Sequence, residues 1–225
     1  MATPTSVTPI RNYGNTDHCD VSTTMSDYSA MSKNKLIACL LLGFTLSLSP
    51  IATAEAANTY KLDPLHTAVV WHVNHFGFST PSGKFMNAEG TLLLDEKNPS
   101  ASKINVTIPI TNVNTGVPKL DEHLRTKDFF DAEAFPTAAF VSDEVKVTSK
   151  DTAIVRGTLT LHGVSKPVSL DVKLNKLGEN MFKQQTAGFS ATATIKRSDF
   201  GINTYLPGLG DEVKLDIESE ANLAP

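Results

Sequence analysis

The sequence predicts an all-β domain, an antiparallel barrel or sandwich of eight strands with one short helix set among them. Three observations carry that prediction. Apolar and polar residues alternate with period two through most of the chain after residue 57, turn residues recur between the alternating runs, and one interval breaks the alternation for helical spacing. Short strands of even spacing are the pattern of antiparallel sheets that close or stack.

The elements follow in order. Val69, Trp71 and Val73 share one face of the first clear strand, and His75 continues their phase. The second runs from Phe85 to Asp95. Its phase slips by one between Phe85 and the series Ala88, Gly90, Leu92 and Leu94, which predicts a β-bulge. Ile104, Val106, Ile108 and Ile110 make the third. The interval from Val117 to Phe135 then places Leu120, His123 and Leu124 at helical spacing and adds Phe129, Phe130 and Phe135. It reads as a short helix between strands three and four, its apolar face covering one end, with Asp121 as the N-terminal cap. Thr137 to Val147 and Ala153 to Leu161 are the fourth and fifth strands. Val168, Leu170, Val172 and Leu174 mark the sixth, Ala187 to Arg197 the seventh, and Val213, Leu215 and Ile217 the eighth. Asn98-Pro99, His162-Gly163 and Pro207-Gly208 supply turns.

Upstream the chain reads differently. Residues 1–30 are rich in Ser, Thr, Asn and Asp without apolar periodicity and read as a leader or a start-site artefact, with translation expected from Met31 or Met25. Residues 31–56 read as a secretory signal peptide. Lys33 and Lys35 precede the apolar run Leu36 to Leu48, Pro50 follows, and Ala52-Thr53-Ala54 and Ala54-Glu55-Ala56 offer cleavage sites. The run is too short for a membrane span, which takes about 20 apolar residues. Leu36-Ile37-Ala38-Cys39 resembles a lipidation box, but its cysteine precedes most of the apolar stretch instead of following it. The expected mature domain, 57–225, therefore contains neither cysteine, so thiol catalysis and Cys-ligated zinc are excluded from it. The net charge is −4 over 225 residues and −3 from residue 57 onward, which lacks the basic excess of a nucleic-acid binder.

The ordered motifs resemble the YceI-type polyisoprenoid-binding family over nearly all of positions 60–221. They are Asp63 and His66 in DPLHTAVVW, His75-Phe76-Gly77, Gly83-Lys84-Phe85, Gly90 before Leu92, and Asp121, His123 and Leu124 in LDEHLRTKDFFD. Phe135-Pro136 and Phe140, the run Gly157 to Val168, and Arg197, Asp199, Phe200, Gly201 and Ile202 complete the set. Two positions depart from the family pattern: Leu120 precedes Asp121 where many members carry Arg, and Ala88 stands where an aromatic is common. The resemblance implies a single eight-stranded antiparallel lipocalin-like barrel, periplasmic after export, that holds a long-chain isoprenoid or fatty amphiphile without chemistry.

The residues agree with an interior that holds a chain. Ala187, Phe189, Ala191, Ala193 and Ile195 share one face, and small residues facing bulky Trp71 and Phe140 either leave a channel or interlock in a filled core. The expected lipid-binding residues are Val69, Trp71, Val73, Leu124, Phe129, Phe140, Leu159, Phe189, Ala191 and Ala193. His75, His123 and Arg197 are the expected head-group residues, with a salt bridge to Asp199 or Asp211 as the competing role for Arg197. No cofactor, metal site or catalytic residue is expected. His72 and His75 fall on opposite faces of one strand, and neither H-E-x-x-H nor G-x-S-x-G occurs. No nucleic-acid partner and no membrane span in the mature form are expected, and a homodimer is the assembly to test. The competing readings are a filled β-barrel serving protein interaction and a periplasmic hydrolase.

Overall fold

A computed structural model describes residues 57–225. The expected leader, the export signal and both cysteines lie outside the described residues. The strands are β1 (Asn58–Leu62), β2 (Ala68–His75), β3 (Ser82–Met86), β4 (Glu89–Leu94), β5 (Lys103–Pro109), β6 (Val113–Asn114), β7 (Thr137–Val147), β8 (Thr152–Leu161), β9 (Val164–Glu179), β10 (Gln185–Lys196) and β11 (Leu209–Leu223). One α-helix, α1 (Pro118–Leu124), lies between β6 and β7.

Eleven strands occupy eight positions in a closed antiparallel barrel. The ring runs β1, β4, β5, β7, β8, β9, β10, β11 and returns to β1 through Tyr60 opposite Leu223. β2 also pairs with β11, β3 with β2, and β6 with β3. Each of the first three positions is thus one strand broken into a lower and an upper piece: β1 and β2, β4 and β3, β5 and β6.

The sequence accounts for each break. Pro64 has no N–H to give a ladder, and Asp63 Oδ1 accepts from the Leu65 amide at 2.9 Å, which turns the chain between β1 and β2. Asn87 has φ +62°, a left-handed conformation that Asn tolerates, and it produces the expected phase slip as an interruption between β3 and β4. Pro109 ends β5, and a 3-10 turn over Ile110–Asn112 separates it from β6. Elsewhere each strand keeps its partner along its length, with register shifts at Ser142/Glu144 in β7, Gly188/Phe189 in β10 and Leu209/Val213 in β11. His162 and Gly163, with φ +51° and +73°, make the two-residue hairpin between β8 and β9. Sequence alternation starts the first strand too late, because β1 is hidden ahead of the Asp63 turn. It also ends the sixth too early, since β9 reaches Glu179.

The breaks have an architectural consequence. In the lower half every strand has a partner on both sides. In the upper half β6 pairs only with β3 among the described residues, so the ladder is split between the third and fourth positions. The chain from Thr115 to Pro136 fills this split. Its helix is shorter than the Val117 to Phe135 interval. Beyond Leu124 the chain turns repeatedly, with amides of Phe129 and Asp131 bonded to the Thr126 carbonyl. Asp121 does not cap it: Val117 is the N-cap residue, and Asp121 Oδ1 instead accepts from the Thr115 amide and hydroxyl, both at 2.7 Å. The carboxylate ties the helix to the end of β6.

Buried side chains form an upper cluster around Phe85, Ile110, Val113, Leu124 and Phe129. A lower one surrounds Tyr60, Leu62, Leu94, Ala187 and Ala221. A third joins Phe140, Val155, Leu159 and Phe200. No described helix is long and apolar enough to cross a membrane.

Candidate ligand cavity

Inward side chains do not fill the barrel. They enclose an upper chamber of about 740 Å³ and a lower chamber of about 400 Å³. The filled-core alternative is therefore overturned, and the single tapered channel becomes two chambers in series.

The upper chamber is aromatic. Trp71, Val69 and Val73 enter it from β2, Phe85 from β3, Leu159 from β8, and Leu124, Phe129 and Phe130 from the segment that fills the split. Phe85 meets Phe130 edge to face at 5.4 Å between ring centres. Glycine makes room for the largest group. A Cβ on Gly83 would lie 2.3 Å from Trp71 Cζ2, so the indole rests on the bare backbone of β3. The lower chamber is mostly aliphatic. Phe140, Leu159, Phe189 and Ala191 line it, together with Leu92, Ile104, Val155, Val172 and Ile217. Gly157 plays the same part here, since a Cβ would stand 2.6 Å from Phe140 Cζ. The lower chamber reaches Glu96 and Pro99 after β4 and Ser149, Lys150 and Asp151 in the β7–β8 turn.

Nine of the thirteen expected site residues border the upper chamber: Val69, Trp71, Val73, His75, His123, Leu124, Phe129, Leu159 and Arg197. Val69 and Leu159 also border the lower one, where they are joined by Phe140, Phe189 and Ala191. Ala193 borders neither; it lies half-buried on the inward phase between them, opposite Leu215. Sequence reasoning missed Ile110, Leu161, Leu209 and Val213 as upper lining residues. Their signal was available: Ile110 continues the alternation of the third strand, Leu161 ends the fifth, and Val213 and Leu209 sit on or next to the alternation of the eighth. Phe76 stands in the His75-Phe76-Gly77 motif without a role read for it, and Tyr205 at the mouth carried no signal, because it comes from an irregular loop.

The three head-group candidates have unequal employment. His75 is exposed at the mouth and stacks edge to face with Phe76. His123 is half-buried, packs against Phe129 at 5.1 Å between ring centres, and places Nε2 3.4 Å from Asp128 Oδ2. Arg197 is only 5% exposed, which corrects its expected place as a rim anchor. Its Nε donates to the Gly210 carbonyl at 2.8 Å, Nη1 to Ile202 at 2.9 Å and Nη2 to Leu209 at 2.7 Å. No carboxylate lies within salt-bridge reach of it among the described residues, so the expected pairing with Asp199 or Asp211 is also absent. Burial lowers the guanidinium pKa and the more distant Asp211 charge opposes that. Ser198 donates from its amide and hydroxyl to Asp211 at 2.9 and 2.8 Å. Partial burial works against the Asp211 charge, but those bonds and the neighbouring Arg197 and Lys196 hold its carboxyl below the usual range. Arg197 and Asp211 together tie the loop after β10 to the start of β11. That loop is the wall of the upper mouth.

Other histidines lie outside the chambers. His72 pairs with Asp216 at 3.0 Å on the opposite face of β2. His162 Nδ1 lies 3.0 Å from the Phe200 carbonyl. On the wall beside the β1–β2 break, Asp63, His66 and Glu220 bring metal-ligating atoms within 4.8 Å of one another, and His66 Nδ1 already bonds Asp63 Oδ2 at 2.8 Å. Partial burial disfavours the Asp63 charge, but the bonds from His66 and the Leu65 amide outweigh it and hold its carboxyl low. The same hydrogen bond raises His66, with the Asp63 and Glu220 charges adding to it.

Comparison with known proteins follows the barrel. The profile of the YceI-like domain matches residues 60–221. Protein YceI of Salmonella arizonae is 42% identical over 183 residues, which is 80% of this chain and 95% of that one. The crystal structure of the Campylobacter jejuni YCEI protein is 33% identical and superposes with a TM-score of 0.61 over 68% of this chain and 90% of that chain. A domain of Saccharophagus degradans described as polyisoprenoid binding shares the fold at 16% identity, with a TM-score of 0.57 over 76% of this chain and all of that one.

Proposed function

The chain belongs to the YceI-like family, and from that premise we propose that its barrel binds a long-chain isoprenoid or similar amphiphilic lipid, after export to the periplasm, and sequesters or carries it without chemistry. The observation that carries this reading is the paired apolar chambers on the barrel axis. Their lining offers carbon almost everywhere and ionisable groups only toward the ends, which is the match for a chain with one polar end. Each methylene removed from water contributes about 0.8 kcal/mol, so a dozen contribute about 10 kcal/mol before ordering costs are subtracted. His75 and His123 at the mouth are the groups available to a polar head, while Arg197 shapes the wall that the head passes.

Native mass spectrometry of protein purified from the periplasm of its own cells tests the proposal. The expected spectrum carries an added mass that organic extraction removes and polyprenyl lipid restores. Ligand-free protein that also refuses added polyprenyl lipid overturns it.

A further inference from the structure

Four side chains border both chambers: Val69 on β2, Ile108 on β5, Leu159 on β8 and Leu215 on β11. They come from the first, third, fifth and eighth strand positions, so they surround the axis as a ring instead of lying along one wall. The seventh position contributes Ala193 opposite Leu215, the smallest side chain at that level. A ligand that uses both chambers must pass a slender segment through this ring and keep its bulk on one side. We propose that the ring makes the barrel a reader of chain length: short chains occupy the upper chamber alone, and a chain gains affinity only when it is long enough to cross the ring and fill the lower chamber. The inference rests on the lipid-binding reading above.

The scale follows from the strands. Leu161 lines the upper chamber and Ala153 the lower one, eight residues apart on β8. A rise of about 3.3 Å per residue on strands tilted about 40° gives roughly 20 Å along the axis. An extended backbone advances about 3.5 Å per three bonds, so an isoprene unit of four chain bonds advances about 4.7 Å. The two chambers together thus accept about four units and the upper one about two. The lower chamber ends among exposed residues, Glu96 and Pro99 after β4 and Ser149, Lys150 and Asp151 in the β7–β8 turn, so units beyond it find no further apolar wall. Such units meet water or polar groups at either end and add little.

Prenyl alcohols of two, four and eight units, titrated against the full mature domain, test this. Affinity is expected to rise at least about tenfold from two units to four and to change less than about threefold from four to eight. Leu159→Trp, which plugs the ring, is expected to bring the ratio of four-unit to two-unit affinity to about one. Val69→Phe plugs it from the facing strand and serves if the first variant fails to give the β-rich circular dichroism of the parent. A folded plugged variant that keeps the full four-unit advantage overturns the inference, as does a parent that binds all three lengths equally. Failure of every prenyl alcohol to bind the parent overturns the lipid-binding reading itself, and this inference with it.

Discussion

The upper and lower halves of the barrel are built from the same eight strand positions, yet they close by different means. In the lower half every strand is paired on both sides around the ring, and buried side chains around Tyr60 pack against the wall near its end. In the upper half the ladder opens between β6 and β7, and side chains of an irregular segment, Leu124, Phe129 and Phe130, stand in the gap. A wall made of side chains can stand farther from the axis than one held at the strand spacing of about 4.8 Å, and the chamber beside it is the larger. The comparison teaches that the cavity is made by interrupting the sheet, not by shrinking side chains alone.

The largest blow to that contrast falls on Arg197, whose clamp holds the upper mouth. Arg197→Ala leaves the buried carbonyls of Ile202 and Leu209 without their donor, and a loss of about 3 kcal/mol is expected in urea unfolding. Phosphorylated and free prenyl alcohols are expected to lose affinity alike, because the guanidinium donors serve the loop. A selective loss of the phosphorylated ligand would restore Arg197 as a head-group anchor. Gly83→Ala comes next. The new methyl pushes the indole of Trp71 inward, at an expected cost of about 2 kcal/mol in the same measurement and with a changed near-ultraviolet dichroism. Ala191→Trp should cost less, about 1 kcal/mol or under, because it grows into the open lower chamber, while abolishing the advantage of long prenyl chains over short ones. A cost as high as that of Gly83→Ala would show the lower chamber to be smaller than its outline.

The smallest effect concerns the β1–β2 break that sets the two halves apart. His66 has a raised folded pKa, so its contribution is complete below its unfolded value of 6.5 and is lost as pH rises through the folded one. Asp63 has a lowered pKa, so its contribution is present above 3.8 and is lost as pH falls through the folded value. The pair is therefore strongest between roughly pH 4 and 6.5. Melting temperature followed across pH should show a shallow excess there that His66→Asn flattens.

Much of the barrel was legible because half-buried strands announce themselves by alternation. Phase alone put Val69, Trp71 and Val73 on one face, and the slip after Phe85, read as a bulge, marks the break at Asn87. What escaped depended on contacts between distant segments. Arg197 follows the inward phase of its strand, and only the return of the chain at Leu209 and Gly210 turns it from a ligand contact into a clamp. Asp121 has the composition of a cap, but its carboxylate accepts from Thr115, while the Leu120 and Asp121 amides bond the Val117 carbonyl. Nor did spacing show that the ladder splits at β6, since the split lies in which strands fail to pair.

Trp71 is the chain's single tryptophan, and it stands on the upper chamber wall against Gly83. The protein thus carries its one tryptophan fluorophore on the upper side of the ring. A ligand that enters only the upper chamber and one that threads both touch the same indole, so emission at saturation reports arrival, while the dependence of the midpoint on chain length reports passage. Occupancy can be followed in unlabelled protein, in real time.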